Sequence, residues 1–179
     1  MTREEFERIV KNLGVTSEVV IVGIRGYYRD TMGKAGANDR GIYDDALFVI
    51  SPEKFEAFQA NVDPSIFRKG IATLKVGIYK VVKWIHKGKY AALQIVNDTV
   101  TRDGQNGEFT GRHGINFHYG SETETWSEGC QTLPKSIYWN FLNLVYGEMQ
   151  KYHLDSIQYV LIDKNQINPS SDEKKDKNK

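Results

Sequence analysis

Cysteine is almost absent from this chain: among 179 residues there is one, Cys130. A lone thiol excludes an intrachain disulfide framework and any multi-cysteine zinc site. An excess of charge of one sign is missing too. Lys and Arg number 24 against 23 Asp and Glu, a formal net charge of +1. That balance lacks the basic excess that holds nucleic acid, and no helix-turn-helix or zinc module is visible, so no nucleic-acid partner is expected. No apolar run reaches the roughly 18 residues of a membrane-spanning helix, so no transmembrane segment is expected either. The opening MTREEFERIVKNLG lacks the basic start and apolar core of a secretory leader. The expectation is a chain that stays in the cytoplasm or leaves it by lysis, injection or another leaderless route.

What is present describes one folded domain over residues 1–163. Apolar residues make up 40% and charged residues 26%, a globular balance that supports a substantial core. Aromatic residues reach 12%, which favours strands and aromatic-lined grooves. At the N-terminus, Thr2 and Glu5 have capping-box spacing, Phe6, Ile9, Val10 and Leu13 share one helical face, and Gly14 ends the helix. EVVIVGIRGYY (18–28) and DALFVIS (45–51) read as strands, separated by a polar, glycine-bearing loop over 29–41. PEKFEAFQANVD (52–63) reads as a short helix or irregular turn. Strands follow within 70–88 and in YAALQIVND and TVTRDGQNGEF, with DGQNG as turn chemistry. GINFH is a further strand, with Ile115 and Phe117 on one face and Asn116 and His118 on the other. PKSIYWNFLNLVYGEMQKY (134–152) is the clearest helix, with a stripe of Ile137, Phe141, Leu144, Val145 and Met149. SIQYVLID closes the fold as a strand, and the charged tail 164–179 is expected to be disordered. The fold class is mainly β with packing helices (α+β), one helix at each end.

GINFHYGSETETWSEGCQTLP holds the chemistry. A thiolate is the attacking form of cysteine, and a free thiol near pKa 8.5 needs a base within reach. His118 lies at a strand end on the face away from the core pair, where it can take that proton. Gly129 permits a tight turn whose N–H groups, with those of Cys130, can receive an oxyanion. The competing reading is an inert buried thiol, the common fate of lone cysteines. Against it stands TWSEGCQT, a polar and glycine-containing setting. Spacing alone leaves both readings open.

INFHYG…WSEGC resembles the signature of the L,D-transpeptidase catalytic-domain family: a histidine at a strand end, a variable loop, then Ser or Thr, any residue, Gly and Cys. His118, Ser127, Gly129 and Cys130 match it. ATLKVGIYKV resembles the family's Thr-Pro-x-Gly-x-Tyr strand entry, with Gly77 and Tyr79 aligned, and the likeness spans about 19–150. It implies a β-sandwich or barrel domain and a cysteine enzyme acting on peptide stems of bacterial peptidoglycan. Implied roles are Cys130 as nucleophile, His118 as base, and Ser127, Glu128 and Gly129 as the oxyanion turn. The backbone near Tyr119 or Gly120 would orient the imidazole, and Asn116, Arg112, Gln131 and Thr132 would bind substrate. No metal and no cofactor is called for.

Several positions depart from the family pattern. Tyr119 stands where glycine is common, Glu128 where histidine is frequent, and Thr132 where many members carry an arginine. Arg112 and Lys135 are the nearby cations that can take over a substrate carboxylate. The resemblance implies transpeptidation, or carboxypeptidase or endopeptidase action with water as acceptor. Work on the cell wall places the protein in the periplasm or outside the cell, as a phage-associated or exported component. The alternatives are a wall-binding or assembly protein that keeps the fold without turnover, and a cysteine hydrolase of an unrelated amide. Among other residues, His86 and His153 are expected to be solvated and His113 to lie on the surface, while Trp84 and Trp126 are expected as buried anchors.

Overall fold

The structure, a computed structural model, describes residues 1–167. Helix α1 (Arg3–Asn12) is followed by strands β1 (Val20–Arg25), β2 (Asp45–Ile50), β3 (Phe55–Ala60) and β4 (Ala72–Leu74). Then come β5 (Gly77–His86), β6 (Tyr90–Ile95), β7 (Asp98–Arg102), β8 (Phe109–Gly111), β9 (Asn116–Tyr119) and β10 (Gln131–Leu133). Helix α2 (Lys135–Lys151), strand β11 (Ser156–Asp163) and the short helix α3 (Lys164–Ile167) complete the described chain. The fold is mainly β. Eight strands form one sheet in the order β10-β9-β6-β5-β11-β1-β2-β3, while β4, β7 and β8 form a small second sheet. The large sheet curls until its ends meet. Asn61, just past β3, and Thr132 of β10 exchange N–H to C=O bonds of 2.8 Å in both directions. This leaves a nearly closed barrel whose two edges protect each other.

The apolar run at the start of β1 follows from its place in the sheet. It pairs with β11 on one side and β2 on the other. Val19 and Ile21 join the larger core, whereas Val20, Val22 and Ile24 pack under α1 with Phe6, Phe48 and Ile162. A strand covered on both faces loses its polar alternation. Helix α1 is held as its sequence predicts: Thr2 and Glu5 cap each other reciprocally, through Glu5 N–H to Thr2 Oγ1 and Thr2 N–H to the Glu5 carboxylate. Helix α2 turns Tyr138, Phe141, Leu142, Val145 and Met149 into the larger core. Its buried stripe sits slightly round from the expected one, with Ile137 and Leu144 only partly covered. Tyr138 can go inside because its hydroxyl donates to the carbonyls of Ala91 and Phe117, at 2.8 and 3.2 Å.

Two expectations are corrected. Residues 55–60 form β3, paired antiparallel to all of β2, so sheet pairing overrides the local helix preference of a Glu-, Lys- and Ala-bearing segment. The tail does not begin at Lys164: Lys164–Ile167 form α3, packed on β11, and Lys164 pairs with Asp30 at 2.5 Å. The remainder of the expected disordered tail, 168–179, lies outside the described residues. Among the described residues no helix is long and apolar enough to cross a membrane.

Phe6 is fully buried and contacts the rings of Phe48 and Phe55 at centroid distances of 4.3 and 5.4 Å. Phe6→Ala is expected to cost about 3–5 kcal/mol, read as a lowered denaturation midpoint with an unchanged slope. A loss below about 1 kcal/mol would mean that α1 is not an integral wall of the fold.

Candidate active site

The site is set by backbone pairing. Strand β10 runs parallel to β9, with Gln131 opposite Phe117, Thr132 opposite His118 and Leu133 opposite Tyr119. Cys130, the residue before β10, therefore reaches the level of Asn116. The Asn116 N–H donates to Cys130 Sγ at 3.4 Å, and the thiol lies 3.9 Å from the Gly114 carbonyl. His118 Nδ1 bonds the Tyr119 carbonyl at 2.9 Å. A carbonyl only accepts, so the proton sits on Nδ1 and the lone pair of Nε2 is left free. Cys130 and His118 line one cleft of about 620 Å³, with His86, Lys87, Asn116, Ser65, Ile66, Trp126, Ser127 and Glu128 around them. The sulfur and the imidazole are not hydrogen-bonded to each other.

The turn before the thiol is tightly built. Gly129 has φ 126, and a Cβ there would stand 2.4 Å from the Ala72 carbonyl oxygen. Glycine is required twice over, by conformation and by space. Ser127 Oγ donates to the Cys130 carbonyl at 2.7 Å and accepts the Gly129 N–H at 3.0 Å. The Gly129 N–H is thus committed within the turn. The Cys130 N–H has no acceptor among the described residues and is the open amide beside the sulfur. Ser65 clamps the loop from the opposite strand connection, its N–H on the Ser127 carbonyl at 2.8 Å and its Oγ accepting the Ser127 N–H at 2.6 Å.

Electrostatics describe a neutral resting pair. Burial pulls His118 down from 6.5 to about 4; the Tyr119 carbonyl opposes this, while His86 and Lys87 add to it. Cys130 is half-buried, yet enough protein surrounds the sulfur for desolvation to push the thiol up. The Asn116 N–H and Lys87 lower it, and Glu128 raises it. A raised thiol beside a lowered imidazole rests as S–H and neutral ring, not as a thiolate–imidazolium pair.

No protein-family model matches the chain, and no curated protein matches it.

Residues assigned from the sequence divide sharply in the structure. Asn116, Ser127, Glu128 and Cys130 line the cleft with His118. Gln131 and Thr132 are fully buried, so neither side chain meets a substrate: Gln131 accepts the Tyr159 hydroxyl at 2.7 Å and Thr132 belongs to the barrel closure. Arg112 and Lys135 do not line the cleft; the Arg112 guanidinium lies on Trp84, and the Lys135 ammonium lies over Tyr119. Lys87 is the cation that does line it. His113 is turned onto the buried Asp98 carboxylate. Gly120 is locked in place, since a Cβ would meet the Glu124 carbonyl and the Tyr43 hydroxyl at 2.3 Å. Trp84 and Trp126 are 39% and 57% exposed rather than buried.

His86 is the residue that sequence reasoning missed. Expected among solvent, it is 7% exposed, with its ring stacked on that of His118 at 4.5 Å and 23°. It ends β5 at a tight turn in which Lys87 and Gly88 both take positive φ, 49 and 67, and the Lys89 N–H returns to the His86 carbonyl at 2.9 Å. A Lys-Gly pair after a long strand signals that hairpin. Nothing local signals which strand lies beyond it.

Two outcomes follow from the charge states. Labelling of Cys130 by iodoacetamide should rise with a midpoint above that of a free thiol; a reactive plateau at pH 6–7 would contradict the neutral pair. A histidine at 6.5 unfolded and about 4 folded takes no stability away above pH 6.5. As pH falls from 6.5 towards 4 the unfolded chain binds the proton first, and stability drops by about 3 kcal/mol. Urea midpoints across that window should show the drop, and His118→Asn should flatten most of it.

Proposed function

We propose that the chain is a cysteine-dependent acyl-transfer enzyme acting on peptide stems of peptidoglycan, as an L,D-transpeptidase, or as a carboxypeptidase or endopeptidase when water is the acceptor. The observation that carries the reading is the pairing of β9 with β10, which gives a neutral His118 with a free Nε2 and the Cys130 thiol one shared cleft. The resemblance of His118, Ser127, Gly129 and Cys130 to the L,D-transpeptidase signature supplies the substrate class, and a nearly closed β barrel suits that family's β-rich domain. Such a substrate puts the working location at the cell wall.

The chemistry follows from the charge states. As Sγ adds to a carbonyl carbon next to a D-amino acid, His118 Nε2 takes the thiol proton and the C=O π pair moves onto oxygen. Proton transfer and attack go together, because neither partner is ionised beforehand. The Cys130 N–H is the open amide for the oxyanion. Collapse breaks the C–N bond, the amine departs with the proton from His118, and the acyl group remains as a thioester. An amine or water then attacks the thioester, giving its proton to His118, and the sulfur leaves to recover that proton. Lys87, which lines the cleft, would meet a carboxylate of the donor, in the role the family gives to the arginine replaced here by Thr132. Ile66 and Trp126 give the cleft an apolar rim.

One observation favours a second reading, a wall-binding protein without turnover: the thiol bonds the Asn116 N–H rather than the imidazole. Substitution separates the two. Incubated with purified wall peptides and followed by mass spectrometry of the products, Cys130→Ala should lose all turnover, and His118→Gln should lose about 10²–10⁴-fold. Products from Cys130→Ala equal to those of the natural chain would overturn the cysteine mechanism, and a natural chain that binds wall peptides without forming products would establish the wall-binding reading.

A further inference from the structure

A row of side chains leads from the outside of the barrel to the cleft, and its hydrogen bonds have a fixed direction. Arg112 donates from Nε to Gln94 Oε1 at 3.1 Å, and a second donation comes from Nη2. Gln94 Nε2 donates to Asn116 Oδ1 at 2.9 Å. Asn116 Nδ2 stands 3.1 Å from His86 Nδ1. Amide oxygens and nitrogens are interchangeable in shape, but a guanidinium can only donate. Arg112 therefore forces the Gln94 oxygen towards itself and the Gln94 NH₂ towards Asn116. Asn116 must then show its oxygen to Gln94 and its NH₂ to His86. Nδ1 of His86 is left as an acceptor, so its proton sits on Nε2. Pairing of Gln94 with Asn116 across β6 and β9 keeps the row in register.

The His86 Nε2–H has no protein partner among the described residues, and His86 lines the cleft with Cys130. The site is otherwise short of donors, since the Gly129 N–H is spent on Ser127. We propose that His86 is a second functional histidine of the cleft: a neutral imidazole, fixed by the Arg112–Gln94–Asn116 row as the Nε2–H tautomer, that donates to an oxygen of the bound acyl donor. This role rests on the acyl-transfer reading of the cleft. Neutral imidazoles polarise substrate carbonyls elsewhere in enzyme chemistry. Neutrality is also what His118 requires of its neighbour, because a cation stacked at 4.5 Å would oppose the charge His118 acquires when it takes the thiol proton. Burial of the ring is the larger influence against a cation on His86, and the groups that face it do not offset it. Lys87 in its own turn adds to the burial, His118 on β9 carries the competing ring, Tyr90 on β6 lies at 5.3 Å with its hydroxyl held protonated to about 12, and the Glu128 carboxylate across the cleft is exposed and paired with Arg68.

The isosteric change Gln94→Glu reverses the row. A carboxylate accepts from both neighbours, so Asn116 turns its NH₂ to residue 94 and its oxygen to His86, which must then carry the proton on Nδ1. Long-range ¹⁵N–¹H spectra of the histidine rings at pH 7 should show His86 protonated at Nε2 in the natural chain and at Nδ1, or doubly protonated, in Gln94→Glu. Adding a stem tetrapeptide to the Cys130→Ala variant should shift the His86 Nε2–H resonance. In wall-peptide turnover, His86→Leu should lose about 10²–10³-fold, while His86→Gln, whose amide nitrogen reaches a similar place, recovers part of it. An Nδ1–H or cationic His86 in the natural chain overturns the proposal. So does His86→Leu turning over like the natural chain, an outcome that leaves the acyl-transfer reading standing. A chain that neither binds nor processes stem peptides, with the His86 proton on Nε2, brings down the acyl-transfer reading and the donor role with it, but not the tautomer assignment.

Discussion

Three residue pairs between β9 and β10 determine where the sulfur can be. Strand side chains alternate with a period of two, so a slip of one residue would turn His118 and Asn116 away from the thiol and put Phe117 in their place. The register is fixed from both ends. At one end Asn61 bonds Thr132 in both directions and closes the barrel. At the other, Gly129 passes so close to the Ala72 carbonyl that no β-carbon fits. Between them Ser127 knots the turn on itself while Ser65 pins it to the opposite connection. Cleft geometry is thus a by-product of how the barrel shuts.

Much of this was legible in local pattern. The alternation of Ile115, Asn116, Phe117 and His118 put the two polar side chains on one face, and in the structure Asn116 and His118 line the cleft while Ile115 and Phe117 enter the core. The capping residues of α1 and the apolar stripe of α2 carry their information within a few positions, and both helices stand near where the sequence placed them. What failed depended on partners far along the chain. Residues 55–60 have a composition suited to helix and became a strand because β2 offered a full ladder. Gln131 and Thr132 look like exposed polar residues beside a nucleophile, yet closure makes them internal. His86 sits among lysines in the sequence and beside His118 in space, because β6 lies between β5 and β9. No window around His86 contains that fact.

The state of the thiol is a further property that residue identity conceals. Cysteine next to histidine invites the picture of an ion pair, but an ion pair needs solvation or a third charge. Here the partner of His118 Nδ1 is a backbone carbonyl, which fixes tautomer and orientation without supplying the negative charge that a carboxylate would lend the imidazolium. Burial then works against both ionised forms at once. The nearest formal charges, Lys87 and Glu128, push the thiol in opposite directions. On the acyl-transfer reading proposed above, a cleft built this way would defer charge separation until a substrate carbonyl takes the electron pair.

The same proposal gives a reason for so polar a row inside the barrel. Gln94, Asn116 and His86 are all at least nine-tenths buried, and each unpaired amide or imidazole there would cost about 1–3 kcal/mol. The row avoids that cost only because its bonds run head to tail from a group that cannot accept. Three apolar side chains of similar volume would satisfy packing equally well without any such condition. An arrangement that needs a guanidinium on Trp84 to set the direction of three further bonds is costly to assemble for stability alone. Its terminus is an imidazole stacked on His118, the base of the proposed reaction, and there the ordering of hydrogens would have a chemical consequence.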